Sequence, residues 1–274
     1  MAIWARVKTE EQFRSVAESN ALFADCIIVD YDLAQNEKVL QMILKRRGES
    51  TSTTSKVRNR KFYYQLPDVL RSPKAETLLT PAKVFDGVVI KNLDELGMIA
   101  SAGLPDGLEI IGDAFLYAYN KPALEFYRSF APEMKFILSD ELKKEELSQL
   151  MQAEPAENFL LKVYGHQAVM ITAQCLNRNY GRCWKQKNAL NKLQNPVICF
   201  TDDTGEDFYS VSYCKECYSV IYKGEPTFLL SKAEERYENL LFDFTIETGK
   251  ETEQIFNDRK GLAYNGGHYD KGIE

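Results

Sequence analysis

The amino-acid sequence predicts an α/β fold, a (β/α)8 TIM-like barrel with a cysteine-rich β insertion after its seventh strand. Eight short apolar segments alternate with helical patterns, which is typical of parallel strands joined by helices. Eight strands close such a barrel, and a chain of 274 residues has the length of one barrel domain. Five of the six cysteines cluster between the last two predicted strands. An open doubly wound sheet is the alternative.

The predicted barrel strands are apolar runs that end at turn or capping residues. They are Ile3–Val7, Cys26–Tyr31, Lys61–Leu66, Phe85–Asn92, Leu108–Asp113, Lys135–Leu138, Phe159–Tyr164 and Leu240–Thr245. Pro67 stops the third strand because proline has no backbone N–H to donate. If the barrel is closed, the eighth strand pairs beside the first.

Capping residues and composition mark the helices between these strands. Thr9 and Gln12 form a capping-box pattern, Asn92 can cap a helix that begins at Leu93, and Ser139 can cap the helix after the sixth strand. Further helices are predicted over Leu33–Lys45, Pro122–Phe130, Lys232–Asn239 and Lys250–Arg259. The charged run Lys143–Glu146 is expected on a solvated helix face, and Gly48–Ser55 is expected to be a loop.

The insertion reads as a small β region within a single domain that spans residues 1–274. Val197–Phe200 and Phe208–Tyr213 are typical of a hairpin around residues 202–205, and Val220–Tyr222 and Thr227–Leu230 continue the pattern. We place the insertion at residues 165–230. Because the loops after the strands build the active site of such barrels, the insertion is expected at the catalytic face.

Charge and hydropathy narrow the class of protein. The net charge is −6 and no long basic run is present, which disfavours, without excluding, a nucleic-acid partner. The first residues lack the features of a signal peptide, and no apolar run approaches the 18 residues expected of a membrane span. The expectation is a cytoplasmic protein without a membrane partner, in which thiols stay reduced.

The clustered cysteines are Cys175, Cys183, Cys199, Cys214 and Cys217, the last two forming a Cys-x-x-Cys pair. Four thiolates are the usual ligand set of an iron–sulfur cluster or a structural zinc ion. The spacing does not match a zinc ribbon, which has two close pairs. Structural thiols without a metal, and disulfides, remain alternatives. Cys26 opens an apolar strand and is expected to be a buried small hydrophobe.

Carboxylates and histidines supply the other candidates. Asp30, Asp113 and Asp243 close strands two, five and eight, where they can face the barrel mouth as acid, base or substrate anchor, or cap helices. His166, after strand seven, reads as a base, a ligand or a solvated loop residue. No serine-protease elbow or His-Glu-x-x-His pair is present, so a thiol protease would have to pair Cys175 with His166 or His268.

Several motifs resemble the collagenase-like peptidases of unassigned mechanism, peptidase family U, number thirty-two, and in particular the C-terminal barrel half of their long members. They comprise Phe85–Leu96, Ser139–Leu142, Val163–Gly165 with Met170, Cys214–Tyr222 and the closing Gly267–Glu274, which includes His268. Departures are His166 where the family usually has Arg, Ala168 where Pro is usual, and Asn265-Gly266 where Thr-Arg is usual. Any role of that Arg is therefore absent here.

The resemblance implies a peptidase by name, with a Cys-bound metal or iron–sulfur centre at the barrel mouth. Several relatives are implicated in hydroxylating RNA bases or quinone rings, some with a four-iron four-sulfur cluster on four cysteines, and this is the alternative function. The third possible function is non-catalytic: the chain would work as one half, together with other domains or subunits of a longer protein. This function implies that the chain is a fragment or a truncated relative. Peptide and RNA are the substrates these functions imply.

The resemblance also suggests individual roles. Cys175 and Cys183 match the family's first pair of ligands best, and we choose Cys199 and Cys217 for the other two, with Cys214 as a substitute. Zinc is the alternative to the cluster. His166, His268 and Asp243 are the predicted catalytic residues.

Overall fold

Eight parallel strands form a closed barrel in the computed structural model, which describes residues 1–19, 23–50, 59–70, 78–102, 107–179, 181, 183, 185, 197–233, 237–258 and 262–272. The barrel strands are β1 Ala2–Val7, β2 Cys26–Val29, β3 Lys61–Gln65, β4 Gly87–Ile90, β5 Glu109–Gly112, β6 Lys135–Ile137, β7 Phe159–Gly165 and β13 Asn239–Asp243. Each pairs in parallel with its neighbours, and pairing of β13 with both β7 and β1 closes the ring. The predicted TIM-like barrel is confirmed.

The helices between these strands lie mostly where the sequence predicts them. They are α1 Glu10–Ala17, α2 Glu37–Ser50, α3 Leu93–Ala102, α4 Lys121–Phe130, α5 Lys144–Ala153, α6 Leu176–Asn179, α7 Leu230–Ala233 and α8 Gly249–Asn257. The Thr9 capping box of α1 is formed, and the Asn92 side chain accepts from the Glu95 backbone N–H at the start of α3. Among the described residues, no helix is both long and apolar enough to cross a bilayer.

Two boundary predictions are wrong for local reasons. Ser139 does not cap α5: its hydroxyl accepts from the Glu141 backbone N–H in a turn, and α5 begins only at Lys144. The helix predicted to reach Asn239 covers Leu230–Ala233, and residues 234–236 lie outside the described residues. Asn239 instead opens β13, where its amide bonds the Glu157 and Phe159 carbonyls.

The α2 helix differs from its prediction at both ends. Leu33–Gln35 forms a separate 3-10 turn, because Asn36 is extended and interrupts the helical backbone. At the other end the helix continues through residues 48–50, which were predicted to be a loop, while residues 51–55 of that loop lie outside the described part of the chain.

Side chains alternate across the barrel wall, so each strand contributes to two cores. The interior is filled by residues such as Trp4, Ile28, Tyr63, Leu160 and Leu241, while the larger core lies between the strands and the surrounding helices. Above this apolar floor, toward the carboxyl ends of the strands, the inward positions become polar.

The insertion forms an antiparallel sheet of four strands, which we call the cap sheet. Its strands, in spatial order, are β8 Ala168–Thr172, β11 Tyr218–Lys223, β10 Asp207–Tyr213 and β9 Val197–Thr201. The β9–β10 hairpin is as predicted, whereas β8 was not predicted, and Thr227–Leu230 is a strand only at β12 Thr227–Phe228, which pairs with β7. Side chains of the cap sheet contact the barrel mouth.

Candidate functional site

The floor of the barrel mouth is an arginine between two aspartates. Arg6 lies near the end of β1, Asp113 follows β5 and Asp243 ends β13. Arg6 Nη2 lies 2.5 Å from Asp113 Oδ2 and Arg6 Nη1 lies 3.0 Å from Asp243 Oδ2. Burial alone would raise the pKa of Asp113, but the charges of Arg6 and Lys91 outweigh it and hold that pKa below its usual range. Asp113 is therefore an anion, and the ion pairs with the two carboxylates hold the guanidinium in place.

Two lysine–aspartate pairs lie at the same mouth. Lys91, after β4, forms an ion pair with Asp68, and Lys162, in β7, forms one with Asp140. All four side chains are largely buried. Burial raises the pKa of Asp140 despite the opposing charge of Lys162. The mouth is thus lined with buried charges of both signs.

Tyrosines of the cap sheet cover one side of this mouth. Tyr213 and Tyr218 stack with ring centroids 4.7 Å apart, and the Tyr218 hydroxyl donates to Asp68 Oδ2 at 3.1 Å. Lys8 Nζ donates to the hydroxyls of Tyr213 at 3.0 Å and Tyr222 at 2.6 Å. These contacts join the cap sheet to β1 and to the loop after β3. The enclosed part of the mouth has a volume of about 60 Å³, which suits a small ligand or part of a larger one.

His166 lies at the edge of this mouth and is buried, with 5% of its surface exposed. Its Nδ1 is 2.8 Å from the Lys223 carbonyl oxygen and its Nε2 is 3.3 Å from Glu247 Oε1. Glu247 also accepts from the Tyr164 hydroxyl at 2.8 Å. Burial would raise the pKa of Glu247, but its hydrogen bond to His166 and the charge of that ring outweigh it, and the pKa is lowered. The interpretation of His166 as a solvated loop residue is wrong, because the ring joins the cap sheet to the barrel.

Four cysteines surround a second pocket, of about 220 Å³, on the cap sheet. Cys175 and Cys183 come from the segment after β8, and Cys214 and Cys217 from the turn between β10 and β11. Tyr213 also lines this pocket. Cys217 has a positive φ of 56°, and its sulfur accepts a hydrogen bond from Lys185 Nζ at 3.2 Å. The fold therefore brings together two pairs of thiols from separate segments.

The cysteines at this pocket differ in one residue from the four ligands that the sequence analysis selected. Cys199 lies exposed on the edge strand β9, opposite Tyr209, and is not among the residues that line the pocket, whereas the substitute Cys214 is. All six cysteines are free thiols, so the disulfide alternative is not formed. Cys26 is buried inside the barrel as expected, and burial raises the pKa of its thiol to about 12.

The four cysteine sulfurs that line this pocket match a metal centre in the type and number of ligands. Ligation requires each sulfur to lie roughly 2.3 Å from a metal. Among the described residues, however, no three His, Cys, Asp or Glu side chains are grouped closely enough to hold a metal ion. The thiols line a common space without converging on one point, so binding would require them to move inward.

His268 lies apart from these thiols. Its Nδ1 is 3.0 Å from the Gly272 carbonyl oxygen, and it lines a narrow cleft with Asp140, Gln167 and Tyr269 beside the barrel mouth. Neither histidine lines the cysteine pocket. The pairing of Cys175 with a histidine that a thiol protease would require is thus not formed within the part of the chain that the structure describes.

The sequence reasoning missed several residues of the mouth. It singled out Asp30, Asp113 and Asp243, and all three are buried where their strands end. It did not single out the cations at matching positions or the tyrosines above them: Arg6, Lys8, Lys91, Lys162, Tyr213, Tyr218 and Tyr222. The cations could have been found by looking for polar residues at inward positions near the carboxyl ends of the barrel strands. No sequence feature identified the tyrosines, because strand patterns do not show how the cap sheet docks.

Comparisons with known proteins leave the family open. A scan against protein-family models finds no match, and a search of curated proteins finds none either. The resemblance to the collagenase-like peptidases therefore stays a prediction, to be judged by experiments on the two pockets.

Proposed function

We propose that this chain is an enzyme domain in which a thiolate-bound metal centre lies beside a barrel-mouth site for a small substrate. One observation carries the proposal: Cys175, Cys183, Cys214 and Cys217, from two separate segments, surround a single pocket. Four thiolates suit an iron–sulfur cluster or zinc. Between these two, the family resemblance favours a four-iron four-sulfur cluster as the group that the four thiolates would hold.

Tyr213 supports a connection between the two sites. Its ring lines the cysteine pocket, and its hydroxyl accepts from Lys8, which lines the barrel mouth. A single buried side chain therefore separates the thiols from the mouth. An iron–sulfur centre held by Cys175, Cys183, Cys214 and Cys217 would supply electron transfer. Arg6, Asp113 and Asp243 would bind and orient the substrate in the barrel mouth.

Within this proposal, hydroxylation of a small ring compound or an RNA base, with the oxygen atom and the two oxidising equivalents taken from an oxygen-donating co-substrate, has more support than peptide hydrolysis. A thiol protease needs a histidine beside its cysteine, and both ring nitrogens of His166 face Lys223 and Glu247 instead. The enclosed mouth is also small for an extended peptide. A peptidase remains the second candidate, since it is the activity that the family name implies.

A non-catalytic role as half of a larger assembly is the remaining candidate. The observation that favours it is that Arg6, Lys91 and Lys162 are already paired with carboxylates of the same chain. Such a mouth is stable without a ligand. In that case the partners would be other domains or subunits of a longer protein. We expect a cytoplasmic setting for each of these functions.

The decisive experiment is anaerobic purification followed by iron, sulfide and zinc analysis and a visible absorption spectrum. Cys175→Ser and Cys214→Ser are expected to lose the metal, whereas the matched control Cys199→Ser keeps it, because Cys199 lies outside the pocket. Absence of both metals after reconstitution would refute the centre. Loss of metal in Cys199→Ser with retention in Cys214→Ser would restore the original choice of ligands.

A second assay separates the reactions that such a centre could serve. Gelatin cleavage that is lost in Cys175→Ala but kept in Cys199→Ala would support the peptidase. A metal-loaded protein that leaves gelatin intact would favour the hydroxylase or accessory functions.

A further inference from the structure

One cation of the barrel mouth differs from the others. Three of the four have carboxylate partners: Arg6 with Asp113 and Asp243, Lys91 with Asp68, and Lys162 with Asp140. The fourth, Lys8, has no carboxylate within ion-pair distance among the described residues. Its position just after β1 places it in the lining of the same mouth.

The partners of Lys8 are neutral hydroxyls. Its Nζ donates to Tyr222 at 2.6 Å and to Tyr213 at 3.0 Å, and lies 4.7 Å and 5.7 Å from the centroids of those two rings. An ammonium group has three protons to donate, and these bonds use two of them. Phenol groups stabilise a cation but do not neutralise its charge. Lys8 therefore retains one donor and a positive charge at the mouth.

Tyr222 adds a second donor at the same place. Its hydroxyl oxygen accepts from Lys8, so the hydroxyl proton points elsewhere. Tyr222 lines the barrel mouth, whereas Tyr213 lines the cysteine pocket. We therefore assign the Tyr222 hydroxyl proton to the mouth.

Two further polar groups bear on the binding of an anion at this place. Gln167 is 91% buried, since 9% of its surface is exposed, and it lines the mouth with Lys8. Asp30 is a nearby carboxylate whose pKa the Lys8 charge lowers, but its Oδ2 accepts from Gln65 and it forms no ion pair with the lysine. Burial raises the pKa of Asp30 to about 6 despite the Lys8 charge, so at neutral pH Asp30 is an anion that offsets this charge from beyond ion-pair distance.

We propose that Lys8 and Tyr222 form an oxyanion-binding subsite at the barrel mouth, and that the ligand of this mouth carries a carboxylate or phosphate group. The ammonium and hydroxyl groups, 2.6 Å apart, each donate one hydrogen bond to the anion, and charge-assisted bonds of this kind are the strong ones. This inference rests on the proposed function only in using the barrel mouth as its ligand site. It does not require the metal centre.

The test is direct binding of small anions to the full chain. The 15N-labelled protein is titrated with acetate and, separately, with inorganic phosphate, against sodium chloride at equal ionic strength. If amide chemical shifts change saturably with acetate alone, the ligand group is a carboxylate, and if they change with phosphate alone, it is a phosphate. If they change with both, the subsite binds oxyanions without distinguishing the two. Changes no larger than those with chloride would overturn the proposal.

Variants locate the binding. Tyr222→Phe is expected to weaken binding about tenfold and Lys8→Met more, because each removes a bond to a charged group. The controls are Tyr209→Phe, which removes a tyrosine hydroxyl outside the mouth, and Lys232→Met, which removes an exposed positive charge. Unchanged affinity in a folded Tyr222→Phe protein, or equal loss in Lys232→Met, would overturn the assignment. Metal content measured on the same samples separates this failure from that of the cysteine centre.

Discussion

Asp30 is a buried carboxylate whose charge the protein accommodates poorly. It follows β2, is 3% exposed, and accepts from the Asp32 backbone N–H and from Gln65 Nε2. Burial raises its pKa from 3.8 to about 6. An acid whose pKa is higher in the folded state costs stability at pH values where it is ionised in both states. Asp30→Asn removes this cost, so we expect the variant to be more stable than the parent at neutral pH.

The structure sets both the size and the pH range of this effect. The difference between 3.8 and about 6 corresponds to about 3 kcal/mol at 1.36 kcal/mol per pKa unit. The gain is full above pH 6, falls as the parent takes up a proton between pH 6 and 4, and is absent below 4, where both states are protonated. The new amide also has an acceptor: Gln65 Oε1 is buried without a partner, and a flip of that side chain presents it.

Urea unfolding at pH 7.5 and pH 4 measures the effect. We expect Asp30→Asn to raise the free energy of unfolding by about 1–3 kcal/mol at the higher pH, the upper value being the full cost, and by little at the lower. Asp203→Asn, in the exposed β9–β10 turn, is the control and should change little at either pH. A variant that is less stable than the parent at pH 7.5, or equally stabilised at both, would refute the reasoning.

Three further substitutions test the barrel and its helices by chemical denaturation. Arg6→Met leaves two buried carboxylates without their partner and is expected to cost about 3–5 kcal/mol; a loss well under that range would mean that the pairs are not formed. Gly87→Ala places a Cβ 2.5 Å from the Glu109 carbonyl oxygen and is expected to cost about 1–3 kcal/mol, and a neutral result would contradict this close strand packing. Thr248→Ala removes the capping box with Glu251 and is expected to cost about 1 kcal/mol, while Thr248→Ser restores most of it.

The cysteine site shows where reasoning from sequence reached its limit. Cys175 and Cys183 were chosen from the motif that the chain resembles, and both line the pocket. The choice between Cys199 and Cys214 depended on which side of each strand faces inward, and β9 lies at the sheet edge with Cys199 exposed. Spacing along the chain does not contain this information, because residues on a strand alternate between two faces and register decides which face is covered.

The barrel itself was determined by the sequence. Eight apolar strand patterns separated by helical ones predict parallel strands with crossover helices, in a closed barrel or an open doubly wound sheet. The number eight favoured the barrel, because eight strands close one. The same patterns placed Asp30, Asp113 and Asp243 at the strand ends that face the mouth. Local signals such as the Thr9 capping box act within one turn of chain, so they too could be read directly.

Only the tertiary structure decided what those strand ends contact. Arg6 joins Asp113 across the barrel and Asp243 on the neighbouring strand, and Lys8 joins Tyr213 and Tyr222, more than 200 residues away along the chain. Such contacts depend on how the cap sheet docks over the mouth. Because charged and tyrosine side chains reach several ångströms and pair by position in space, their partners follow from this docking and not from their order in the sequence.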